Sequence, residues 1–265
     1  MKKIAFIGAG NMGGAVLRSA LNVFPAEQFI VTVKTQTHAD SLRAELGVEV
    51  SSSNLSAAER SEIIFLCVKP QYSEPVLAEI APAFKEGDKT LVSIMAGKST
   101  EWIACQLGLP EGSRRIVRTM PNLPALIGRG MTLIADGSDV PEKVTDILAR
   151  CGAVEYIAES LFDIGGVVAG CTPAWTAMFA ESLADAGVAA GLSRAVAVKL
   201  AASAIAGTAE MIASGVYSTG ALKDAVCSPG GTTIRGVAEL ERGGFRAAAI
   251  NAVLAAYDKH SSLRG

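Results

Sequence analysis

The hydrophobic pattern changes period once along the chain. Up to about residue 160, short continuous apolar runs recur: KIAFIG, FIVTVK, EIIFLCV, TLVSIMA, RIVRTMPN and GMTLIA. Turn residues close them, as at Lys69-Pro70 and Gly97-Lys98-Ser99. Runs with no polar face predict strands buried on both sides, and the helical stretch GNMGGAVLRSALNV after the first run predicts the usual covering helix. Right-handed crossovers make such an arrangement a doubly wound parallel sheet. Beyond residue 160 the strand runs stop. TPAWTAMFAESLADAGVAAG, SRAVAVKLAASAIAGTAEMIASG and FRAAAINAVLAAYDKHSSL carry helical spacing instead. Pro173 is expected in a helix's first turn, and Ser193 is expected to cap the SRAVAV helix. These helices are apolar on several faces at once, which predicts burial against a second copy of the chain. The expected fold class is α/β: an N-terminal Rossmann-type doubly wound parallel sheet over 1–160, then a C-terminal all-helical dimerisation domain over 161–265.

Composition narrows the function classes. The chain has 265 residues, half of them hydrophobic, with 27 glycines and a net charge of −2. That balance invites neither nucleic acid nor an anionic membrane. The Lys2-Lys3 start followed by IAFIG is too short for a signal peptide, and no stretch is expected to reach the roughly 20 apolar residues of a membrane span. Cysteines 67, 105, 151, 171 and 227 show no metal-type spacing, and their odd number suits a reducing compartment. A cytoplasmic enzyme without a metal centre is the expectation.

The chemistry begins in IGAGNMGGAV, residues 7–16. Gly8, Gly10 and Gly13 stand in G-x-G-x-x-G register between a strand and a helix. The first allows a tight turn, the second a close approach of pyrophosphate, and the third close helix–strand packing. Gly8-Ala9-Gly10-Asn11-Met12-Gly13 is therefore a candidate dinucleotide loop, with its helix N-terminus facing the phosphates. An acid at the end of the second strand would select NAD. Here VTVKTQTHAD has Lys34 and Thr35, with no acid before Asp40. A cation beside hydroxyls suits a 2′-phosphate, so NADP(H) is expected, with NAD(H) the open alternative.

Two later stretches, RTMPNLPALIGRG (118–130) and DAVCSPGGTTIRGVAELERGGFRAA (224–248), join IGAGNMG, CVKPQ and LADAGVAAGL in a wider pattern. With these motifs the chain resembles the pyrroline-5-carboxylate reductases nearly end to end. The resemblance implies NADPH-dependent reduction of 1-pyrroline-5-carboxylate to L-proline, by a homodimer or a larger homo-oligomer built from dimers. It also implies site roles. Asn54, the Val68-Lys69-Pro70-Gln71 turn, and Met95, Ala96 and Gly97 correspond to cofactor contacts. Glu159 and the Ser228 to Thr233 loop, including Gly230, Gly231 and Thr232, correspond to the substrate site. In that reading the Thr232 and Thr233 amides hold the substrate carboxylate, and the Thr233 hydroxyl is the catalytic group facing the ring nitrogen.

The residues fit that chemistry on their own terms. Two histidines, neither beside a nucleophile, leave little for acid–base work, and reduction of a protonated cyclic imine needs mainly positioning. One stretch departs from the family. Where SGSGPAY is usual, this chain reads AGCTPAW (169–175), and Ala225 replaces a usual Asn or Gln. A different cyclic imino acid, or a nucleotide-binding regulatory relative with weak turnover, is therefore kept as the alternative.

Overall fold

The structure is a computed structural model that describes residues 3–85 and 87–261. The six apolar runs form six strands: β1 (Lys3–Ile7), β2 (Phe29–Thr32), β4 (Ser61–Leu66), β5 (Thr90–Ser93), β6 (Ile116–Pro121) and β7 (Gly130–Ala135). Two further strands, β3 (Glu49–Ser51) and β8 (Gly152–Ile157), complete an eight-stranded sheet of order β3-β2-β1-β4-β5-β6-β7-β8. Both added strands lie at the sheet edges, where neither face has to be continuously apolar. Their burial is partial or alternating, which is why no unbroken run announces them.

Alternate residues of the strands feed two cores. Ile4, Phe6, Phe29, Phe65 and Val117 pack with Val16 and Leu17 of α1 (Asn11–Leu21) and with Ile147 and Leu148 of α6 (Glu142–Cys151). On the other face Ala5, Ile7, Ile64 and Leu91 pack against α3 (Asn54–Glu59), α4 (Ser73–Ile80) and α5 (Thr100–Gln106). Phe6 and Phe65 stack at 4.6 Å between centroids, so the first core is joined across the central strands. The remaining helix of this region, α2 (Gln36–Leu46), follows β2.

One expectation of the sheet is corrected. β6 and β7 are antiparallel, while the other pairs are parallel. Only residues 122–129 join them, too short a link for the crossover that a parallel pair requires.

A second correction concerns Pro173. It lies inside α7 (Phe162–Ala189), a continuous 28-residue helix, rather than in a first turn. Proline has no N–H for the carbonyl four residues back, which here belongs to Ala169. Asn122 fills that gap: its Nδ2 donates to the Ala169 carbonyl at 2.9 Å, and its Oδ1 accepts from Met131 N at 2.9 Å.

The contacts divide the chain at 171/172, eleven residues beyond the change in pattern, into a sheet unit (1–171 with 257–265) and a helical unit (172–256). The strand runs end at β8, but α7 starts against the sheet, where Phe162 is fully buried. The helical unit contains most of α7, then α8 (Arg194–Ala213), α9 (Thr219–Val226), α10 (Thr232–Arg242) and most of α11 (Phe245–Ser261). Ser193 caps α8 by accepting from Val196 N, as its position predicts. The last residues of the expected final helix, Ser262 and Leu263, lie outside the described residues, as does Lys2. Within this unit Met178, Leu200, Val216, Ile250 and Leu254 are each more than half exposed. Among the described residues α8 is long and apolar enough to cross a membrane by length and composition alone, yet Arg194, Lys199 and Glu210 interrupt it, so it is no unbroken apolar stretch.

Asn122→Ala should leave two part-buried backbone groups without their partner, at roughly 1 kcal/mol each. Chemical denaturation of the variant should show that loss, and wild-type stability would mean that another group pairs with Ala169 and Met131.

Candidate active site

The strands β3-β2-β1-β4-β5-β6 run in the order that places a topological switch point beside β1, where ligands of open α/β sheets bind. The glycine loop occupies that place. Gly8 ends β1 at φ +89°, a left-handed value that favours glycine, and its N–H donates to the Thr32 carbonyl at 2.9 Å. A Cβ on Gly13 would lie 2.6 Å from Cys67 Cβ and 2.8 Å from the Gly8 carbonyl, so α1 sits as close to β1 and β4 as backbone allows. Gly10 behaves differently. A Cβ there would meet nothing within 4 Å, and no side chain caps α1 at this residue. The first amides of α1, in Asn11, Met12 and Gly13, therefore open onto free space where an anion would be stabilised. Ala9 is buried, and burial also pushes the Cys67 thiol far above its ordinary range, marking it as packing rather than a nucleophile.

The other expected nucleotide residues gather around this loop. Lys34 is exposed, with Nζ 5.8 Å from the Tyr72 ring centroid. Thr35 caps α2 by accepting from His38 N at 3.4 Å, which leaves its own hydroxyl proton free to be donated. Asn54 is more fully committed. It accepts from Thr32 Oγ1 at 2.6 Å, and its side-chain amide donates to Glu79 at 2.8 Å. Val68, Lys69, Pro70 and Gln71 form the turn between β4 and α4, with Pro70 starting a short 3-10 turn. Met95, Ala96 and Gly97 follow β5; Met95 is buried and Gly97 has φ +74°.

The SPGGTT loop belongs to the helical unit. Gly230 takes φ +69° and Gly231 begins α10 without a side-chain cap. A Cβ on Gly231 would come within 2.3 Å of Ser228 Oγ, a hydroxyl that can rotate aside, whereas the left-handed φ of Gly230 is what favours glycine in this turn. Thr232 and Thr233 are exposed and open the 11-residue α10, the arrangement that offers backbone amides to a carboxylate. Glu159 belongs to the sheet unit and lines a cleft of about 350 Å³ with Gly97, Trp102, Arg118 and Asp163.

Similarity to known proteins now adds to this geometry. Residues 159–263 match the family model described as pyrroline-5-carboxylate reductase dimerisation, and residues 3–97 match that of NADP oxidoreductase, coenzyme F420-dependent. The pyrroline-5-carboxylate reductase of Escherichia coli strain K12 is 41% identical over 99% of this chain and 98% of its own length. The chain belongs to the pyrroline-5-carboxylate reductase family. The Arabidopsis thaliana member is 36% identical over 98% of this chain and 95% of its own. The crystal structure of the Plasmodium falciparum pyrroline carboxylate reductase with NADP bound covers 100% of this chain and 98% of its own, at 31% identity and a TM-score of 0.86.

Sequence reading of this family member passed over one group of residues. Arg118 is buried between Glu159 and Asp163, and His260 Nε2 lies 3.3 Å from Asp163 Oδ1. Arg118 stands in the RTMPN stretch, but its partners are 41 and 45 residues further on, so no local pattern links them.

Gly13→Ala should destabilise the protein by about 1–3 kcal/mol, since the Gly8 carbonyl cannot move aside. Gly10→Ala, facing open space, should melt with the wild type. Equal melting temperatures for the two variants would contradict the packing role of Gly13.

Proposed function

We propose that this protein reduces 1-pyrroline-5-carboxylate to L-proline with NADPH, as a cytoplasmic homodimer or a larger assembly of dimers. The observation that carries the reading is the uncapped start of α1 at Gly10, with open space before it, at the switch point of a sheet ordered for dinucleotides. The names of the E. coli and Arabidopsis relatives, and the NADP in the Plasmodium structure, support it.

The residues fit the cofactor. Asn11, Met12 and Gly13 amides would receive the pyrophosphate. Lys34 would face the 2′-phosphate with the Thr35 hydroxyl. Asn54 and Val68 to Gln71 would border the adenosine half, and Met95 to Gly97 the nicotinamide half. When bound, NADPH supplies the hydride. The chain's own residues bind and orient the imine: the Thr232 and Thr233 amides hold its carboxylate, with Ser228, Gly230 and Gly231 shaping the turn. The Thr233 hydroxyl holds the ring nitrogen in its protonated, electrophilic form.

The exposed apolar faces of the helical unit, α8 included, are read as subunit surface, which the dimerisation-model match supports. Five free cysteines agree with a reducing compartment. A second reading, reduction of a related cyclic imino acid, is favoured by one observation: at 169–175 the chain carries Ala169 and Cys171 where serines are usual, Thr172 in place of a glycine and Trp175 in place of a tyrosine.

Steady-state NADPH oxidation with 1-pyrroline-5-carboxylate, beside a panel of cyclic imines, separates these readings. Higher kcat/KM for a different imine would replace the substrate, and NADPH binding without turnover on any imine would leave a nucleotide-binding regulator.

NADPH should be preferred over NADH in kcat/KM, and Lys34→Asp should move the ratio toward NADH; an NADH preference in the wild type would contradict the role of Lys34. Thr233→Val removes a hydroxyl while keeping shape, and should lower kcat by roughly ten- to a hundred-fold with NADPH affinity unchanged. Unaltered turnover would make that hydroxyl structural. Sedimentation at micromolar concentration should give a dimer or a multiple of it, whereas a folded, active monomer would refute the assembly.

A further inference from the structure

Glu159 lines the cleft, yet its carboxylate is already engaged inside the protein. Oε1 accepts from Thr100 N at 2.9 Å and from Arg118 at 3.0 Å, and Oε2 accepts from Thr100 Oγ1 at 2.6 Å. Arg118, with 4% of its side chain exposed, also donates to Asp163 Oδ1 at 2.6 Å and lies 4.3 Å from the Phe162 ring centroid. One guanidinium thus ties the middle of β6 to Glu159, just before α7, and to Asp163 in its first turn. One of those acids then reaches across to Thr100, three residues after Gly97.

We infer that Arg118 and Glu159 are positioning residues, which act through Thr100 to hold the Met95–Ala96–Gly97 loop against the sheet. This rests on the reading of that loop as part of the nucleotide site. The geometry argues against a direct role for Glu159 on the substrate. Both carboxylate oxygens of Glu159 already accept hydrogen bonds from Thr100 and Arg118, so the group is committed inside the protein. A tether suits the same contacts better. The loop's start is fixed, since Ile94 N donates to the Leu66 carbonyl and Met95 is buried, but Gly97 beyond it is left-handed and continues no strand. The Thr100 hydroxyl and amide, both received by one carboxylate, supply a fixed point immediately beyond it. His260 faces Asp163 rather than Glu159, and the hydrogen bonds to Thr100 come from Glu159, which Arg118 holds in turn.

The test uses full-length Glu159→Gln, Thr100→Val and Thr100→Ser. In hydrogen exchange without nucleotide, amides of residues 95–101 should exchange about tenfold faster in Glu159→Gln and Thr100→Val than in the wild type or Thr100→Ser, with β6 unchanged. In turnover, kcat should fall on the order of tenfold in the first two variants while KM for NADPH stays within about threefold, because a misplaced loop disturbs orientation more than binding. Thr100→Ser, which keeps the hydroxyl, should restore both. Wild-type exchange of the loop in Glu159→Gln, or a Thr100→Ser variant as impaired as Thr100→Val, would overturn the proposal. Failure of the wild type to bind NADPH would overturn the nucleotide reading and the catalytic half of this proposal together, while the exchange arm, which needs no nucleotide, would still decide whether the tether exists.

Discussion

The approach of α1 to β1 and β4 is the contact on which the sheet unit is arranged. At Gly13 the helix lies 2.6–2.8 Å from where a Cβ would meet Cys67 and the Gly8 carbonyl, and a larger residue would have to push the helix outward. Because α1 is held there, its first amides point from the switch point of the sheet into open space at Gly10. Helix and strand packing therefore leaves uncapped amides where an anion would be stabilised, without a dedicated binding side chain. The turns after β2, β4 and β5 end around the same place because parallel strands bring their C-terminal ends to one edge.

Much of the fold was legible because burial on both faces leaves a plain signature. Six central strands show as unbroken apolar runs. β3 and β8 did not, since an edge strand needs only partial burial. The reversal at β7 was legible only through the shortness of the link at 122–129, a constraint of chain length rather than of residue type. Pro173 misled for a different reason: proline normally marks a helix start, but Asn122 supplies the hydrogen bond that Ala169 would otherwise lose. A tertiary contact 47 residues away in sequence overrides the local preference.

The candidate site divides along similar lines. The glycine loop and the Lys34-Thr35 strand end could be singled out from spacing, since each pattern lies within a few residues. The SPGGTT loop was legible through resemblance and gains a local reason in the left-handed backbone of Gly230. The Arg118, Glu159 and Thr100 network was not legible, because its members come from β6, the segment before α7 and the start of α5. Buried charge of this kind is strongly position-dependent: breaking one pair leaves an ion without its partner in a poorly solvated place. The exposed apolar helices form a further layer, readable as an excess of hydrophobic faces and given meaning by the family to which the chain belongs.

These parts converge on one claim, that the strand-end site delivers a nicotinamide hydride to a cyclic imino acid. Turnover of 1-pyrroline-5-carboxylate with NADPH carrying deuterium at the transferable nicotinamide position, followed by mass spectrometry of the product, tests it most directly. The account predicts L-proline with a single deuterium at the former imine carbon. Proline without deuterium, or labelled nicotinamide recovered intact with no proline formed, would contradict it.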